Sequence, residues 1–300
     1  MLATDRVTAI AVLVAMKRRL LSSVAMVSLA VAPAFAADLP TKAPIVKAPD
    51  RPALADPWSG FYVGLNAGGA WASSKANASS SCATALPYLC SGAPGGAANL
   101  AAVLAAGSGT ATASGFIGGV QTGYNWHSNN LVYGLETDIE SFHIRASRSG
   151  SAPYPAPGAI TGVVPAGTTF TIGSTTKTDW LYTLRGRAGW ANGNFLAYVT
   201  GGLALSTIGV TNTFTDTFGG MEAASGSATK AGWTVGAGFE WAINTHWTAK
   251  AEYLYVQFPS VSATGIISSS NAGGAAYTQA ISMSADLTAH LARAGVNYKF

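Results

Sequence analysis

Charge is scarce in this chain. Charged side chains make up 10% of the 300 residues, against roughly 25% in soluble domains. Long apolar runs are missing as well: beyond residue 36 no uninterrupted stretch of about 18 apolar residues occurs, which excludes membrane-spanning helices there. Two cysteines and four histidines complete the shortage. No Cys/His cluster has the spacing of a metal site, and GGVQTG at 118–123 is neither GxGxxG nor followed by a helix. No catalytic, cofactor-binding or metal-ligating residue is therefore singled out, and no cofactor is expected. A chain poor in charge and free of membrane helices must place its apolar residues by another pattern.

The amino terminus accounts for most of the basic charge. Met16-Lys17-Arg18-Arg19 forms a basic stretch, Leu20 to Val31 an apolar one, and Ala34-Phe35-Ala36 an A-x-A cleavage site. Together they have the layout of a secretory signal over 1–36. Residues 1–15 precede a signal that already has its own Met16, which points to an over-extended start, a genuine longer basic region being the alternative. Removing 1–36 takes away Arg6, Lys17, Arg18 and Arg19 against Asp5, so the formal charge of +4 falls by 3 to +1. Nothing then argues for nucleic acid as a partner. Residues 37–57, with prolines at 40, 44, 49, 52 and 57, read as an extended periplasmic linker. In an oxidising compartment Cys82 and Cys90 are expected to form a local disulfide.

From Trp58 onward apolar and polar residues alternate with period two, the mark of strands with two unlike faces. Eight such stretches run approximately 58–72, 114–127, 130–143, 178–190, 195–208, 229–242, 246–258 and 286–300. Tight turns at 127–130, 191–194 and 243–245 alternate with long Gly/Ser/Thr/Ala-rich connections at 73–113, 144–177, 209–228 and 259–285. One plain end and one ornate end are the asymmetry of a transmembrane barrel with short periplasmic turns and long extracellular loops. The aromatics agree: Trp58, Trp126, Trp190, Trp241, Trp247 and Phe300 fall near the short-turn end, where an interfacial girdle belongs. The expected fold is all-β, an eight-stranded antiparallel up-and-down transmembrane β-barrel over 58–300. Ten strands remain an alternative, because 159–172 could add a hairpin or extend one above the membrane.

Eight tilted strands leave a lumen just wide enough to be filled by side chains. The charged register carries Glu136, Asp138, Glu140, Glu240 and Glu252 beside Arg185, Arg187, Lys250 and Arg293, with Asp179 on the same face of its strand by simple alternation. Isolated buried ions are costly, so the five carboxylates and four cations named first are expected to pair as a structural plug. The strand glycines mark bends or close backbone approach.

WSGFYVGLNAGGAW at 58–71, GGVQTGYNW at 118–126, YGLETDIE at 133–140, LRGRAGW at 184–190, YVTGGLA at 198–204, GWTVGAGFEW at 232–241, WTAKAEYLYVQF at 247–258 and RAGVNYKF at 293–300 occur in the order of a known family. The chain resembles the small alphaproteobacterial outer-membrane β-barrel proteins of the RopB type, often called porin-like or outer-membrane immunogenic proteins. The resemblance implies a barrel similar to the membrane domain of OmpA, seated in the cell outer membrane among lipids and lipopolysaccharide, with both termini in the periplasm. It also implies that Val296, Tyr298 and Phe300, the outward residues of the last strand, are an address for the barrel-assembly machinery. Phe300→Asp should then impair assembly, and normal insertion of that variant would count against the idea. The implied function is a structural, surface-exposed protein with at most weak or gated pore activity. A loop-based adhesin or receptor, its ligand unnamed by the composition, is one alternative. An outer-membrane lipid-modifying enzyme is a lesser one, since His143 and His290 fall in the lipid-facing register and lack a carboxylate in a local motif.

Overall fold

The computed structural model describes residues 56–81, 87–90, 95–155, 168–269 and 277–300. The secretory signal and nearly all of the linker expected from the sequence lie outside these residues, as does Cys82. Cys90 is described and is not a free thiol.

Eight strands close into one ring, each antiparallel to its neighbours in chain order: β1 (Gly60–Ser81), β2 (Gly109–Ser128), β3 (Leu131–Pro153), β4 (Thr169–Asn192), β5 (Phe195–Asp216), β6 (Met221–Ala242), β7 (Trp247–Ser269) and β8 (Tyr277–Lys299). Closure joins β8 to β1 from Tyr62↔Lys299 up to Ser81↔Ala280. Phe300 N donates to Phe61 O at 3.1 Å, and the two rings meet at 5.8 Å. No additional hairpin occurs between β3 and β4 among the described residues: Thr169–Ile172 prolongs β4 rather than adding strands to the ring.

Tight turns arise from residues that tolerate positive φ. Asn129 sits at φ 58° and Gly193 at φ 59°, a conformation that Gly and Asn reach most easily. The next asparagine in each turn ties down its neighbour: Asn130 Nδ2 donates to Ala191 O at 2.9 Å, and Asn194 Nδ2 to Ala242 O at 3.2 Å.

The strands hold 20 to 24 residues, whereas a tilted strand crosses the hydrocarbon layer in about 9–11. Half of each strand therefore stands beyond a membrane. Segments read from the sequence as long loops are largely wall: 73–81 and 109–113 belong to β1 and β2, and the 209–228 connection is a hairpin that turns at 217–220. Helix α1 (Gly96–Gly107) lies in the first connection. Between β6 and β7 the ladder runs from Ala242↔Thr248 to Trp233↔Gln257 and resumes only at Met221↔Ser268.

Two bulges change which face a residue takes. In β4, Thr178 and Leu181 both point inward with Asp179 and Trp180 between them. In β7, Phe258 and Val261 do the same around Pro259 and Ser260, and Pro lacks the N–H a regular ladder would need. Asp179 is consequently exposed rather than lumenal, a correction to simple alternation.

The outer face between the bulges and the short turns is apolar. Tyr133, Trp190, Phe195, Trp241, Trp247 and Phe300 are exposed near the short-turn end, Trp71, Phe116 and Trp233 at the other. Trp241 and Trp233 are eight residues apart, about 20 Å along the axis for a rise of about 3.3 Å and a tilt of about 40°. That matches a lipid-facing band of roughly 25 Å between two aromatic girdles. Trp58 departs from the expectation: it is 2% exposed. It lies just before β1 and turns inward, where Nε1 donates to Gly193 O at 3.0 Å.

Candidate functional site

Four layers fill the interior. At the short-turn end, Trp58, Val132, Ala191, Leu196, Tyr198 and Ala242 form an apolar floor. A charged layer follows. Above it Ala70, Ile117, Phe142, Leu181, Leu254, Phe258 and their neighbours form an apolar middle. The far end is a dome in which Val103 of α1 packs with inward residues including Phe170, Ile172, Phe214, Ile281 and Met283.

Strand register builds the charged layer. Glu136, Asp138 and Glu140 alternate along β3, so all three point inward. Glu136 lies directly opposite Arg185, Glu240 opposite Lys250, and Glu252 opposite Arg293. Contacts then cross the lumen. Arg185 Nη2 donates to Glu136 Oε1 at 2.5 Å and to Asp138 Oδ2 at 2.6 Å, while Nη1 reaches Glu252 Oε1 at 3.0 Å. Arg293 Nη2 donates to Glu252 Oε2 at 2.5 Å and Asp138 Oδ2 at 3.1 Å, and Nη1 to Glu140. Lys250 Nζ reaches Glu136 Oε1 at 3.0 Å, and Arg187 Nη2 reaches Glu240 Oε2 at 2.7 Å. All four cations stand within 4.0 Å of Glu136. All nine charged residues singled out from the sequence thus meet in one buried knot.

Five carboxylates face four cations, and neutral groups supply the remaining donors. Tyr62 OH donates to Glu136 Oε2 at 2.7 Å, and Tyr198 OH to Glu252 Oε1 at 3.0 Å. Arg187 also lies over the Tyr198 ring at 4.1 Å, a cation–π contact strengthened by exclusion of water. An amide relay runs from Asn66 Nδ2 to Gln121 Oε1, from Gln121 Nε2 to Asn297 Oδ1 and from Asn297 Nδ2 to Glu240 Oε1. Thr248 donates to the same Glu240 oxygen. Sequence reading passed over these uncharged partners; parity could have found Thr248 and Asn297, which share the inward register of Lys250, Glu252 and Arg293 on their own strands, whereas β1 and β2 carry no inward charge to mark Tyr62, Asn66 or Gln121. The backbone is also close here. A Cβ on Gly202 would come within 2.1 Å of Leu184 O, so this inward position has room only for hydrogen.

The dome uses different chemistry. Tyr88 OH and Tyr154 OH both donate to Asp216 Oδ2, at 2.6 and 2.7 Å, while Asp216 Oδ1 accepts from Phe218 N and Gly220 N. Burial first, and then the adjacent carboxylate, push both phenols well above the usual tyrosine range. They remain donors at any physiological pH. Arg148 Nη2 donates to Ala106 O at 3.2 Å, placing a cation at the negative end of α1.

On the outer wall His143 Nδ1 meets Ser141 Oγ at 2.8 Å, and His290 Nδ1 meets Tyr253 OH at 2.5 Å. Both histidines are exposed, and neither has a carboxylate within 4.0 Å among the described residues. No group of three potential metal ligands occurs among those residues. Val296 and Phe300 face outward with Tyr298, whose ring meets Trp247 at 5.1 Å and Phe300 at 5.2 Å.

The family described as outer membrane protein beta-barrel domain matches residues 22–300. The 31 kDa outer-membrane immunogenic protein of Brucella melitensis is 32% identical over 292 residues, covering 95% of this chain and all of that protein. The 22 kDa outer membrane protein of Rhizobium leguminosarum is 32% identical over 146 residues, 49% of this chain and 54% of that one. Among solved structures, the outer membrane protease OmpT of Escherichia coli aligns over 80% of this chain and 97% of its own with a TM-score of 0.40 at 10% identity.

Proposed function

We propose, from the premise that this chain belongs to the outer membrane protein β-barrel family and is an integral outer-membrane protein, that its barrel is a closed structural element of the cell surface. The carrying observation is the stacked interior. A buried ion knot lies between two apolar layers, with a third apolar layer and a helix beyond. An ion or solute moving along this axis would have to leave water and displace paired charges, and each of those steps is costly. Planar-bilayer recording on refolded protein should give no large, stable, nonselective conductance; such a conductance would overturn the closed-barrel reading.

In this reading residues 1–36 direct export, 37–57 form a periplasmic linker, both termini face the periplasm, and the long hairpins stand outside the cell. The immunogenic relatives support exposure of that end. The nine lumenal charges serve structure, and outward Val296, Tyr298 and Phe300 present the closing strand to the barrel-assembly machinery. Outer-membrane lipids and lipopolysaccharide surround the wall. An adhesin or receptor role would fall to the dome and hairpin tips. We take the protein as non-enzymatic: among the described residues the Ser141–His143 pair has no carboxylate partner to orient the imidazole, as nucleophilic catalysis of the Ser–His kind requires.

A further inference from the structure

Arg145 on β3 and Lys177 on β4 are directly opposite one another in the ladder. Both are exposed on the outer wall, and neither side chain makes a hydrogen bond or ion pair with any described residue. Like charges facing each other across strands are destabilising, so this pair costs the free protein stability for no internal return. Asp179, two residues below Lys177 and also exposed, lies more than 4.0 Å from both cations. Gly209 adds to the arrangement. A Cβ there would meet Lys177 Cε and Cγ at 3.1 and 3.2 Å, so the lysine stem lies across a place kept free of side chain.

Height decides what can meet these cations. Arg145 is 12 residues above Tyr133 of the short-turn girdle, about 30 Å along the axis for a rise of about 3.3 Å and a tilt of about 40°. An apolar band of roughly 25 Å therefore ends just below it, at headgroup level. Directly above lies a shallow concavity of about 300 Å³ on the same wall, lined by Ser147, Ser149, Thr175, Thr211 and Thr213 around Gly173, with Arg148 and Ser174 also contributing to its lining. Ser147 Oγ and Thr175 Oγ1 are 3.0 Å apart. Two adjacent cations suit a dianion better than a monoanion, and a hydroxyl-lined trough suits a sugar better than an acyl chain.

We propose that Arg145 and Lys177, with this trough, hold the phosphomonoester and adjoining saccharide of a glycolipid in the outer leaflet. The site rests on the reading above that the long hairpins stand outside the cell. A fork of guanidinium N–H groups and a neighbouring ammonium match phosphate oxygens, and water is partly excluded by the lipid below.

The test is native mass spectrometry of the refolded full chain in micelles doped with phosphorylated lipid A, with the same lipid A after phosphatase treatment, or with phosphatidylglycerol. Wild type should retain the phosphorylated glycolipid, and Arg145→Ala/Lys177→Ala should lose about tenfold or more in affinity, as expected for removing charge-assisted contacts. Lys177→Glu should lose it too while unfolding at a higher denaturant concentration than wild type, because it replaces a repulsive cross-strand pair with an attractive one. Equal retention of dephosphorylated lipid or of phosphatidylglycerol, displacement by excess inorganic phosphate, or unchanged binding in the double variant would each overturn the assignment. Maleimide labelling of Ser149→Cys on intact cells reports orientation separately. Labelled cells with no glycolipid retention sink the site alone, and unlabelled cells sink the orientation it depends on.

Discussion

The lumen at membrane level is closed by ions, whereas the far end is closed by apolar packing around a helix and one tyrosine–aspartate clasp. Both closures bury polar groups, but they distribute the risk differently. In the charged layer every cation leans on Glu136, and each group is tolerable only because the others are present. In the dome, Asp216 gathers four donors on an otherwise apolar cluster. Losing it strands two phenols and two amides without leaving an ion bare. The first closure should fail as a unit and the second locally.

Glu136→Ala breaks the comparison most sharply. It leaves four buried cations sharing fewer counter-ions, and removal of one partner of a buried pair costs about 3–5 kcal/mol. Urea unfolding of the refolded barrel should shift by that much, and adding Lys250→Met should recover part of it. Asp216→Ala should cost less, about 1–3 kcal/mol from unsatisfied donors. Its effect should be confined to faster amide exchange in α1 and the hairpin tips, with the membrane-level amides unchanged.

The smallest effect concerns the upper wall near the dome. Glu222 on β6 accepts from Asn212 Nδ2 at 2.8 Å, and burial pushes its carboxyl up to about 7. A carboxyl raised in the folded state holds its proton where the unfolded chain has lost it. Local stability is therefore highest below the ordinary carboxylate range and falls as pH rises toward 7. The side-chain amide resonance of Asn212 should titrate with a midpoint near 7 in wild type and stay flat in Glu222→Gln.

Legibility in the sequence followed the contrast between the two faces of each strand. Where charge alternates with bulky apolar residues, as in LVYGLETDIE of β3, the facing of every residue was readable, and the nine lumenal charges could be named. In the upper strands both faces are small or polar, as in AASGSATK of β6, so period two has too little amplitude to see and the wall read as loop. α1 was hidden for the same reason, since GAANLAAVLAAG is small on nearly every side. Asp179 was misplaced because a bulge flips parity, and no local residue type announces it. Trp58 was misplaced because an aromatic just before a strand has two homes, the girdle or the lumen, and only closure of the ring decides between them.

The register of the knot has a consequence for how such a chain enters lipid. Glu136 faces Arg185 within the β3–β4 hairpin, Glu240 faces Lys250 within β6–β7, and Glu252 faces Arg293 within β7–β8. A half-built sheet thus brings counter-ions side by side, before any partner across the lumen exists. Only when the circle shuts can Arg293 reach Glu140, or Lys250 reach Glu136. The same charges serve first as travelling companions within hairpins and later as spokes: six of the nine enter beside a directly facing counter-ion, while Glu140 meets Arg293 only at closure.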